Sequence, residues 1–441
     1  MNYKETTEYL FNSTPLFQNV GQNAYKEGLY NTLALDAHSG HPHKKFKTVH
    51  VAGTNGKGSC SHTIAAILQA SGLKVGLFTS PHLVDFRERI RVNGEMVSEE
   101  FVVEFVENNR DFFEPLYPSF FEITTAMAFK YFEEKEVDVA VVEVGLGGRL
   151  DCTNIITPEV CVITNISFDH VMFLGDTLAK IAGEKAGIIK RGIPVVIGEA
   201  VDETREVFMQ KAQEENAPII FAEESSNIIN YKFNKNGGID YNTNNYGLIN
   251  AELGGFCQIK NTDTILHAIE ELKKRGFCIS NNAVKEGFAH VCEATGLMGR
   301  WQTINDRPKV VCDTGHNTGG FEWITKQLAM VTAGFKETES GLPKLRIVFG
   351  MVNDKDISGV LKMMPSDATY YFTQASVKRA LPFDEIEEKA GQYSLRGKAY
   401  PTVGEAYEAA LAESEGDDFI YVGGSSFVVA DLLTYLNTKQ N

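Results

Sequence analysis

Apolar runs alternate with segments of helical periodicity from about Thr48 onward. The β-branched run TVHVA (48–52) precedes a Gly-rich turn, and SHTIAAILQASG (61–72) follows with apolar residues at helical spacing. A second apolar run, VGLF (75–78), completes the order strand, helix, strand, which is typical of a βαβ unit and predicts a parallel sheet covered by helices. Further strands of this sheet are predicted at the apolar runs VDVAVVEV (137–144), VCVITN (160–165) and PVVIG (194–198).

Two changes of pattern divide the rest of the chain. Residues 225–255 are rich in Asn and Gly and contain short alternating pieces, which predicts hairpins or a small antiparallel annex on the first domain. A second α/β series begins after about Ala294, with predicted strands at KVVCD (309–313), RIVFG (346–350), TYYFT (369–373) and FIYVGG (419–424). We therefore predict an α/β protein with a parallel-sheet domain over 1–295 and a smaller Rossmann-like domain over 296–441.

Length and charge narrow the function classes. The chain has 441 residues, of which 43% are hydrophobic and 23% are charged, the balance of a globular protein. Lys and Arg number 42 against 58 Asp and Glu, which gives a formal net charge of −16. Because this charge repels phosphate backbones and anionic lipid, we expect no nucleic-acid or membrane partner. An anionic substrate must then meet a local cationic pocket.

Cysteine usage and the N-terminal sequence bear on the compartment. The seven cysteines are scattered and never spaced C-x-x-C, which argues against a disulfide framework or a zinc knuckle. No apolar run approaches the roughly 18 residues that span a bilayer. The N-terminus lacks a basic start followed by an apolar stretch, and the first arginine is Arg87, so neither a signal peptide nor a mitochondrial leader is indicated. We expect a cytoplasmic protein.

The turn after the first strand, GTNGKGS (53–59), favours phosphate binding. Its glycines permit positive φ, the following helix supplies N–H groups, and Lys57 adds a point charge. The usual pattern G-x-x-x-x-G-K-[ST] is not met, because Gly58 separates Lys57 from Ser59. A ligand-free turn is the alternative, but three glycines with a Lys and a Ser favour a P-loop ATPase domain.

Polar residues stand at the ends of other predicted strands. Glu143 ends an apolar strand, where a Mg²⁺ ligand explains a carboxylate better than a solvated edge does; an ion pair with Arg149 is the alternative. His170 follows another strand end, where it is either a ligand or a structural histidine. Lys185, judged by itself, is a surface or paired lysine. In the second domain Asp313 ends the strand KVVCD.

These motifs together carry a resemblance to a known family. The sequence resembles folylpolyglutamate synthases and dihydrofolate synthases, which are Mur-type ATP-dependent amide ligases. The resemblance covers most of the chain from about Gly28 onward, with the motifs in the expected order. It rests on the runs VAGTNGKGS (51–59), TSPHLVDFRERIRVNG (79–94), VEVGLGGRLDCTN (142–154), SFDHVMFLGDTLAKIAGEKAGIIK (167–190), GRWQ (299–302) and DTGHN (313–317).

The resemblance implies roles for individual residues. ATP would be bound by Thr54, Asn55, Gly56, Lys57, Gly58, Ser59, Asn261, Arg300 and Asp313. Mg²⁺ would be bound by Ser80, Glu143 and His170, and the catalytic residues would be Lys57, Glu143, His170, Lys185 and His316. The lysine that matches Lys185 is commonly carbamylated in the family. Pteroate or folate contacts would fall at Gly28, Leu29, Tyr30, Ser119, Phe120, Phe121, Glu122, Leu150, Asp151 and Cys152.

The activity that the resemblance implies is the addition of L-glutamate to a folate, or also to dihydropteroate, with ATP and Mg²⁺, by a monomer. Amide formation in water is uphill, so the carboxylate would first be activated as an acyl phosphate. One alternative is a Mur-type cell-wall ligase, which is disfavoured because those enzymes carry a nucleotide-sugar domain before the phosphate loop and only 52 residues precede Gly53 here. The other alternative is a non-catalytic ATP-binding protein.

Overall fold

The computed structural model describes residues 1–13, 28–337 and 341–440. The chain divides into two compact units, each described here by itself. Unit 1 comprises Met1–Glu252 and Gln258–Leu297, and unit 2 comprises Leu253–Cys257 and Met298–Asn441. Within the described residues, no helix combines the length and the apolar character needed to cross a bilayer.

An eight-stranded sheet forms the centre of unit 1, with strand order β4-β3-β2-β5-β1-β6-β7-β8. Its strands are β1 (Lys47–Ala52), β2 (Val75–Phe78), β3 (Ile90–Val92), β4 (Glu95–Met96), β5 (Val139–Glu143), β6 (Val160–Ile163), β7 (Val195–Ile197) and β8 (Ile219–Phe221). All neighbours pair in parallel except β3 and β4, which form an antiparallel edge. The predicted parallel sheet is confirmed.

Helices cover both faces of this sheet. Successive side chains of β1 and β5 point to opposite faces, and apolar side chains therefore need cover on both faces. Val49 and Val141 face one core and Val142 faces the other. The helices of unit 1 are α1 (Tyr3–Ser13), α2 (Tyr30–His38), α3 (Lys57–Ala70), α4 (Glu99–Leu116), α5 (Phe120–Glu134), α6 (Val171–Leu174), α7 (Leu178–Ala186), α8 (Asp202–Glu214), α9 (Cys257–Lys274), α10 (Asn281–Ala289) and α11 (Val291–Thr295). The first residue of α9 belongs to unit 2.

The predicted antiparallel annex is also confirmed. It is a three-stranded sheet of β9 (Ile228–Phe233), β10 (Ile239–Thr243) and β11 (Gly247–Ala251) in the order β11-β10-β9. Tyr241 and Ile249 pair across the sheet and are fully buried in the core that α3 and α9 share. The annex therefore belongs to the core of unit 1.

Unit 2 contains a six-stranded sheet with the order β12-β13-β17-β14-β15-β16, in which only β12 is antiparallel to its neighbour. Its strands are β12 (Gln302–Asp306), β13 (Lys309–Asp313), β14 (Leu345–Phe349), β15 (Thr369–Thr373), β16 (Arg396–Tyr400) and β17 (Phe419–Gly423). Its helices are α12 (Thr318–Ala333), α13 (Ile357–Met363), α14 (Phe383–Gly391), α15 (Val403–Ala412) and α16 (Ser426–Gln440). This is the predicted second α/β sheet.

Parallel strands place their carboxyl ends at one edge of a sheet, and ligands of α/β proteins bind outside that edge. In unit 1 the segments that follow β1, β2, β5 and β6 begin at this edge. They carry the phosphate loop, Ser80 and His170, and Glu143 is the last residue of β5, so the topology brings these predicted site residues to one edge of the sheet.

Candidate active site

The phosphate loop connects β1 directly to α3 and requires glycine at two positions. Gly53 has φ of +145° and Gly56 has φ of +83°, values that side-chain-bearing residues rarely adopt. A Cβ on Gly53 would lie 1.9 Å from the Thr164 Oγ1 atom, and a Cβ on Gly56 would lie 2.3 Å from the Asn261 Oδ1 atom. The loop is therefore packed tightly between the end of β6 and the helix α9.

Hydrogen bonds to the segment after β6 fix the loop in place. The backbone N–H of Thr54 donates to the Asn165 carbonyl at 2.9 Å, and that of Asn55 donates to the Asn165 side chain at 2.9 Å. The Thr164 hydroxyl donates to the Asn55 carbonyl at 2.5 Å. Because these bonds do not involve a ligand, the loop is preorganised for phosphate oxygens.

The predicted ATP residues of unit 1 meet at this loop. The Lys57 ammonium donates to the carbonyls of Gly53 and Thr54, each at 3.1 Å, and so lies over the loop. Ser59 is buried, and its hydroxyl accepts from the Gln258 amide at 3.2 Å. The Gln258 side chain in turn accepts from Asn261 at 2.9 Å. Gln258 was missed in the sequence analysis, because its contact with Ser59 spans 199 positions.

Glu143 and Ser80 lie next to each other. Glu143 is the last residue of β5 and is only 3% exposed, and its Oε2 atom accepts from the Ser80 backbone N–H at 3.2 Å. The Glu143 charge also acts on buried Arg89, whose pKa is lowered to about 10 by burial against the opposing effect of Glu88 and Glu143. Arg149, the alternative partner for Glu143, pairs with the Glu184 carboxylate at 2.8 Å.

His170 lies beside an acidic residue at the same edge. It has φ of +50° and precedes the short helix α6. Its Nε2 atom is 3.9 Å from the Asp169 carboxylate, and its side chain is 27% exposed against 9% for Asp169. The imidazole thus lies near a carboxylate, at more than hydrogen-bond distance, while part of it stays accessible, which suits a ligand or a proton carrier.

Lys185 is buried in α7, with 4% of the residue exposed, so the surface position that residue type alone suggested is wrong. Burial, together with the positive charge of Lys57, lowers the pKa of its amine to about 7, against the opposing charges of Asp169 and Asp151. Lys185 therefore interacts electrostatically with Lys57 and with Asp169, and a substantial fraction of its amine is neutral near pH 7.

The predicted pterin-side residues lie in three segments of unit 1. Ser119 caps α5, where its N–H donates to the Glu122 carboxylate at 2.6 Å and its hydroxyl accepts from the Glu122 N–H at 3.2 Å. Phe121 packs against Gly145, on which a Cβ would lie 2.5 Å from the ring. Gly28 and Leu29 precede α2, and Tyr30 begins it with 78% of the residue exposed.

The third segment, Leu150 to Cys152, is organised by the Asp151 carboxylate. That carboxylate accepts from the Leu146 N–H at 2.9 Å, and from the Thr153 N–H at 3.0 Å and hydroxyl at 2.5 Å. Burial raises the pKa of Asp151 against these hydrogen bonds. Burial and the charges of Asp151 and Glu122 raise the pKa of the Cys152 thiol well above its usual value. Both Asp151 oxygens are therefore occupied by the protein's own loop.

In unit 2 the predicted nucleotide residues also meet. The Asp313 carboxylate accepts from the Trp301 N–H and the Gly315 N–H, each at 2.8 Å. Arg300 donates to the Thr314 hydroxyl, and the His316 Nδ1 atom is 3.0 Å from the Thr314 carbonyl. Burial raises the pKa of Asp313, while the charge of Arg300 opposes that shift. Asp313 thus shapes the turn that carries Arg300.

A second group of titratable residues lies away from these segments. The Asp36 carboxylate contacts the Nδ1 atoms of His41 at 2.6 Å and His43 at 2.5 Å. Two ligands bound at about 2.0–2.1 Å to one tetrahedral metal would be roughly 3.3 Å apart. The observed separations are hydrogen-bond distances, so this group fastens the turn before β1 to the buried Asp36.

The chain is similar to known proteins of one family over most of its length. Two family models match the chain: Mur ligase middle domain over residues 51–263, and Mur ligase, glutamate ligase domain, over residues 299–426. A dihydrofolate synthase/folylpolyglutamate synthase of Bacillus subtilis is 35% identical, with 83% of this chain and 86% of the relative covered.

Solved structures show the same fold. The structure of Escherichia coli FolC in complex with DHPP and ADP matches with a TM-score of 0.84 and 30% identity, covering 100% of this chain and 99% of that one. A bifunctional folylpolyglutamate synthase/dihydrofolate synthase with Mn, AMPPNP and L-glutamate bound matches with a TM-score of 0.80 and 28% identity, covering 99% and 98%.

Proposed function

The chain belongs to the folylpolyglutamate synthase/dihydrofolate synthase family of Mur ligases, and we propose that it is an ATP-dependent ligase that joins L-glutamate to the carboxylate of a folate. The observation that carries the proposal is the meeting of three features at one edge of the unit 1 sheet. These features are the preorganised phosphate loop, the buried Glu143 carboxylate and the buried Lys185 amine.

The reaction proceeds in two steps. The folate carboxylate attacks the γ-phosphorus of ATP, so that an acyl phosphate forms and ADP leaves. The neutral amine of L-glutamate then attacks the acyl carbon, and the tetrahedral intermediate collapses to the amide as phosphate leaves with the proton that the amine nitrogen loses. Lys57 and the N–H groups at the start of α3 stabilise the negative charge that develops on the phosphoryl oxygens.

A divalent cation fits the donor set beside the phosphate loop. Glu143 offers a buried carboxylate, Ser80 lies against it through the 3.2 Å hydrogen bond, and His170 offers a partly exposed imidazole. We propose that these three residues hold Mg²⁺. When bound, the ion neutralises charge on the phosphate oxygens. Glu143 and His170 also act as catalytic residues because they keep that charge at the reacting phosphate.

Lys185 is the site of the proposed carbamate. An amine reacts with carbon dioxide only when it is neutral, and it then forms a carbamate anion and releases one proton. With a pKa of about 7, roughly half of Lys185 is neutral at pH 7. An unperturbed lysine would be neutral in only about 0.03% of molecules at that pH. The carbamate replaces a buried cation by an anion, which orients the cation-binding side of the site.

Three of the predicted site residues lie in unit 2. We propose that Asn261, Arg300 and Asp313 bind ATP and that His316 is a catalytic residue. The hydrogen bonds between the two segments support this proposal: the Trp301 N–H donates to Asp313, and Arg300 and His316 both contact Thr314. We propose residues 1–295 and 296–441 as the two functional domains.

ADP release by the purified protein tests the proposed function. Tetrahydrofolate, dihydropteroate and a nucleotide-sugar peptide acceptor are each supplied with ATP, Mg²⁺ and L-glutamate, and again without the glutamate. We expect ADP release that needs tetrahydrofolate and glutamate together; dihydropteroate measured beside it decides whether the protein is bifunctional. Turnover of the nucleotide-sugar acceptor alone would identify a cell-wall ligase, and ATP binding without any turnover would identify a non-catalytic protein.

A further inference from the structure

A buried histidine lies in the middle of β1, between two apolar strands. His50 is 0% exposed and pairs with Val142 of β5 and Cys161 of β6. Its Nε2 atom is 2.8 Å from the Thr153 Oγ1 atom. Within the described residues, its Nδ1 atom has no hydrogen-bond partner. A buried polar group costs free energy unless it is hydrogen-bonded. The contact with Thr153 offsets this cost at the Nε2 atom of His50 but not at its Nδ1 atom.

The direction of the hydrogen bonds follows from the donors available. The Thr153 hydroxyl has one proton, which it donates to the Asp151 carboxylate at 2.5 Å. The hydroxyl therefore accepts from His50, which must carry its proton on Nε2. Burial and the charge of Lys190 lower the pKa of His50 to about 3, so the imidazole stays neutral from about pH 5 to pH 9. His50 is thus a fixed donor.

The hydrogen bonds from His50 through Thr153 end at Asp151, which holds the loop that follows β5. This loop is tightly packed. Asp151 holds the Leu146 N–H at 2.9 Å. A Cβ on Gly145 would lie 2.5 Å from the Phe121 ring, and one on Gly148 would lie 2.8 Å from the Glu184 carbonyl. Because the loop is packed on both sides, a displacement of Asp151 must displace the loop that follows β5.

We propose that His50 is a positioning residue for the folate side of the site, acting through Thr153 and Asp151 on the loop between β5 and Cys152. This inference rests on the proposed function. It also changes the expected role of Asp151, from a direct substrate contact to a brace whose oxygens hold the loop. Phe121 and Cys152, which flank the loop, are the predicted folate contacts that the brace positions.

The phosphate loop, which we expect to bind the nucleotide, is held by a different set of hydrogen bonds. The phosphate loop is held by Thr164 and Asn165 after β6, and neither residue belongs to the hydrogen-bonded chain from His50 to Asp151. Loss of the His50 proton donor should therefore raise the KM for folate while the KM for ATP stays near the parent value. A general loosening of the core would raise both.

Paired substitutions separate the hydrogen bond from the packing. His50→Leu removes the donor, whereas His50→Gln keeps a side-chain N–H. Thr153→Val removes the hydroxyl, whereas Thr153→Ser keeps it. Thr48→Val is the matched control, because Thr48 is also buried in β1 and lies two residues from His50 on the same face of the strand.

Steady-state kinetics with tetrahydrofolate and with ATP give the first readout. We expect His50→Leu and Thr153→Val each to raise the KM for tetrahydrofolate about tenfold, because each removes the hydrogen bond from the His50 Nε2 atom to the Thr153 hydroxyl. The KM for ATP should change by less than about twofold. The double variant should be no worse than either single variant, because both break the same connection. His50→Gln, Thr153→Ser and Thr48→Val should stay near the parent.

Three results would overturn the inference: His50→Gln as impaired as His50→Leu, effects that add in the double variant, or a KM for ATP that rises in parallel. A second readout does not depend on turnover. Amide hydrogen exchange at Leu146 and Thr153 should become faster in His50→Leu and Thr153→Val and stay slow in Thr48→Val. If the parent protein fails to use folate, the proposed function fails, and the exchange rates still decide whether His50 braces the loop.

Discussion

Replacing Lys185 by Met should make the protein more stable and inactive at the same time. Lys185 is almost fully buried, and its pKa of about 7 lies far below the 10.5 of an unfolded chain. The unfolded state therefore holds this proton more tightly than the folded state does. Met is an unbranched side chain of similar length that fills the same space without a charge.

The size of the effect follows from the two pKa values. As the pH falls from about 10.5 to about 7, protonation increasingly favours the unfolded chain, and below about 7 the difference stays constant. The linkage relation gives a destabilisation of ~4 kcal/mol at pH 7 and ~2 kcal/mol at pH 9, both as upper bounds. Lys185→Met should recover this free energy of unfolding, with the larger gain at the lower pH.

Urea unfolding in buffer free of carbon dioxide measures the gain. Lys180→Met is the matched control, because Lys180 lies in the same helix with 63% of its side chain exposed, and its substitution should change the free energy of unfolding by less than about 0.5 kcal/mol. A Lys185→Met variant no more stable than the parent at pH 7, or equally stabilised at both pH values, would refute the reasoning.

Adding bicarbonate to the same urea-unfolding experiment tests the carbamate. Carbon dioxide that reacts with Lys185 only in the folded state must stabilise that state. Added bicarbonate should therefore raise the free energy of unfolding of the parent and leave Lys185→Met unchanged. Short carboxylates should partly restore the activity of Lys185→Ala, because they supply the missing anion. Equal responses of parent and Lys185→Met to bicarbonate would rule out the carbamate.

Three further substitutions probe the site. Glu143→Gln should keep the melting temperature and lose at least ~100-fold in kcat, because the charge beside the phosphate loop disappears; near-normal turnover would contradict this. Asp313→Ala should weaken ATP use and lower the stability of unit 2 by ~1–3 kcal/mol, since two backbone N–H groups lose their acceptor; parent-like ATP affinity and turnover would remove Asp313 from the site. Gly56→Ala should raise the KM for ATP, whereas Gly40→Ala, with φ of +82° but open space, should not; equal effects would exclude a clash with Asn261.

Most strands of both sheets were predictable because their signal is local. Buried parallel strands are apolar almost throughout, and VGLF (75–78), KVVCD (309–313) and TYYFT (369–373) form strands over those same residues. The strand β16 (Arg396–Tyr400) was not predicted. Its residues RGKAY are exposed or half-buried, because it lies at the edge of the unit 2 sheet, so no apolar run marks it.

The site was predictable where its residues follow strand ends. The phosphate loop and Glu143 each stand directly after an apolar run, and sheet topology then brings them to one edge. The contacts between distant residues were not predictable. Nothing local in the sequence indicates that Gln258 reaches Ser59 or that His50 reaches Thr153, because both contacts depend on how helices and loops pack over the sheet.

Transfer of labelled oxygen tests the central claim most directly. A folate whose terminal carboxylates carry oxygen-18 is supplied with ATP, Mg²⁺ and L-glutamate, and the released phosphate is examined by mass spectrometry. If the carboxylate attacks the γ-phosphorus, one labelled carboxylate oxygen becomes the bridging oxygen of the acyl phosphate. That oxygen leaves with the phosphate when the glutamate amine displaces the phosphate, so each phosphate released with product should carry one labelled oxygen. Product formed with unlabelled phosphate, or phosphate release that needs neither folate nor glutamate, would contradict the account.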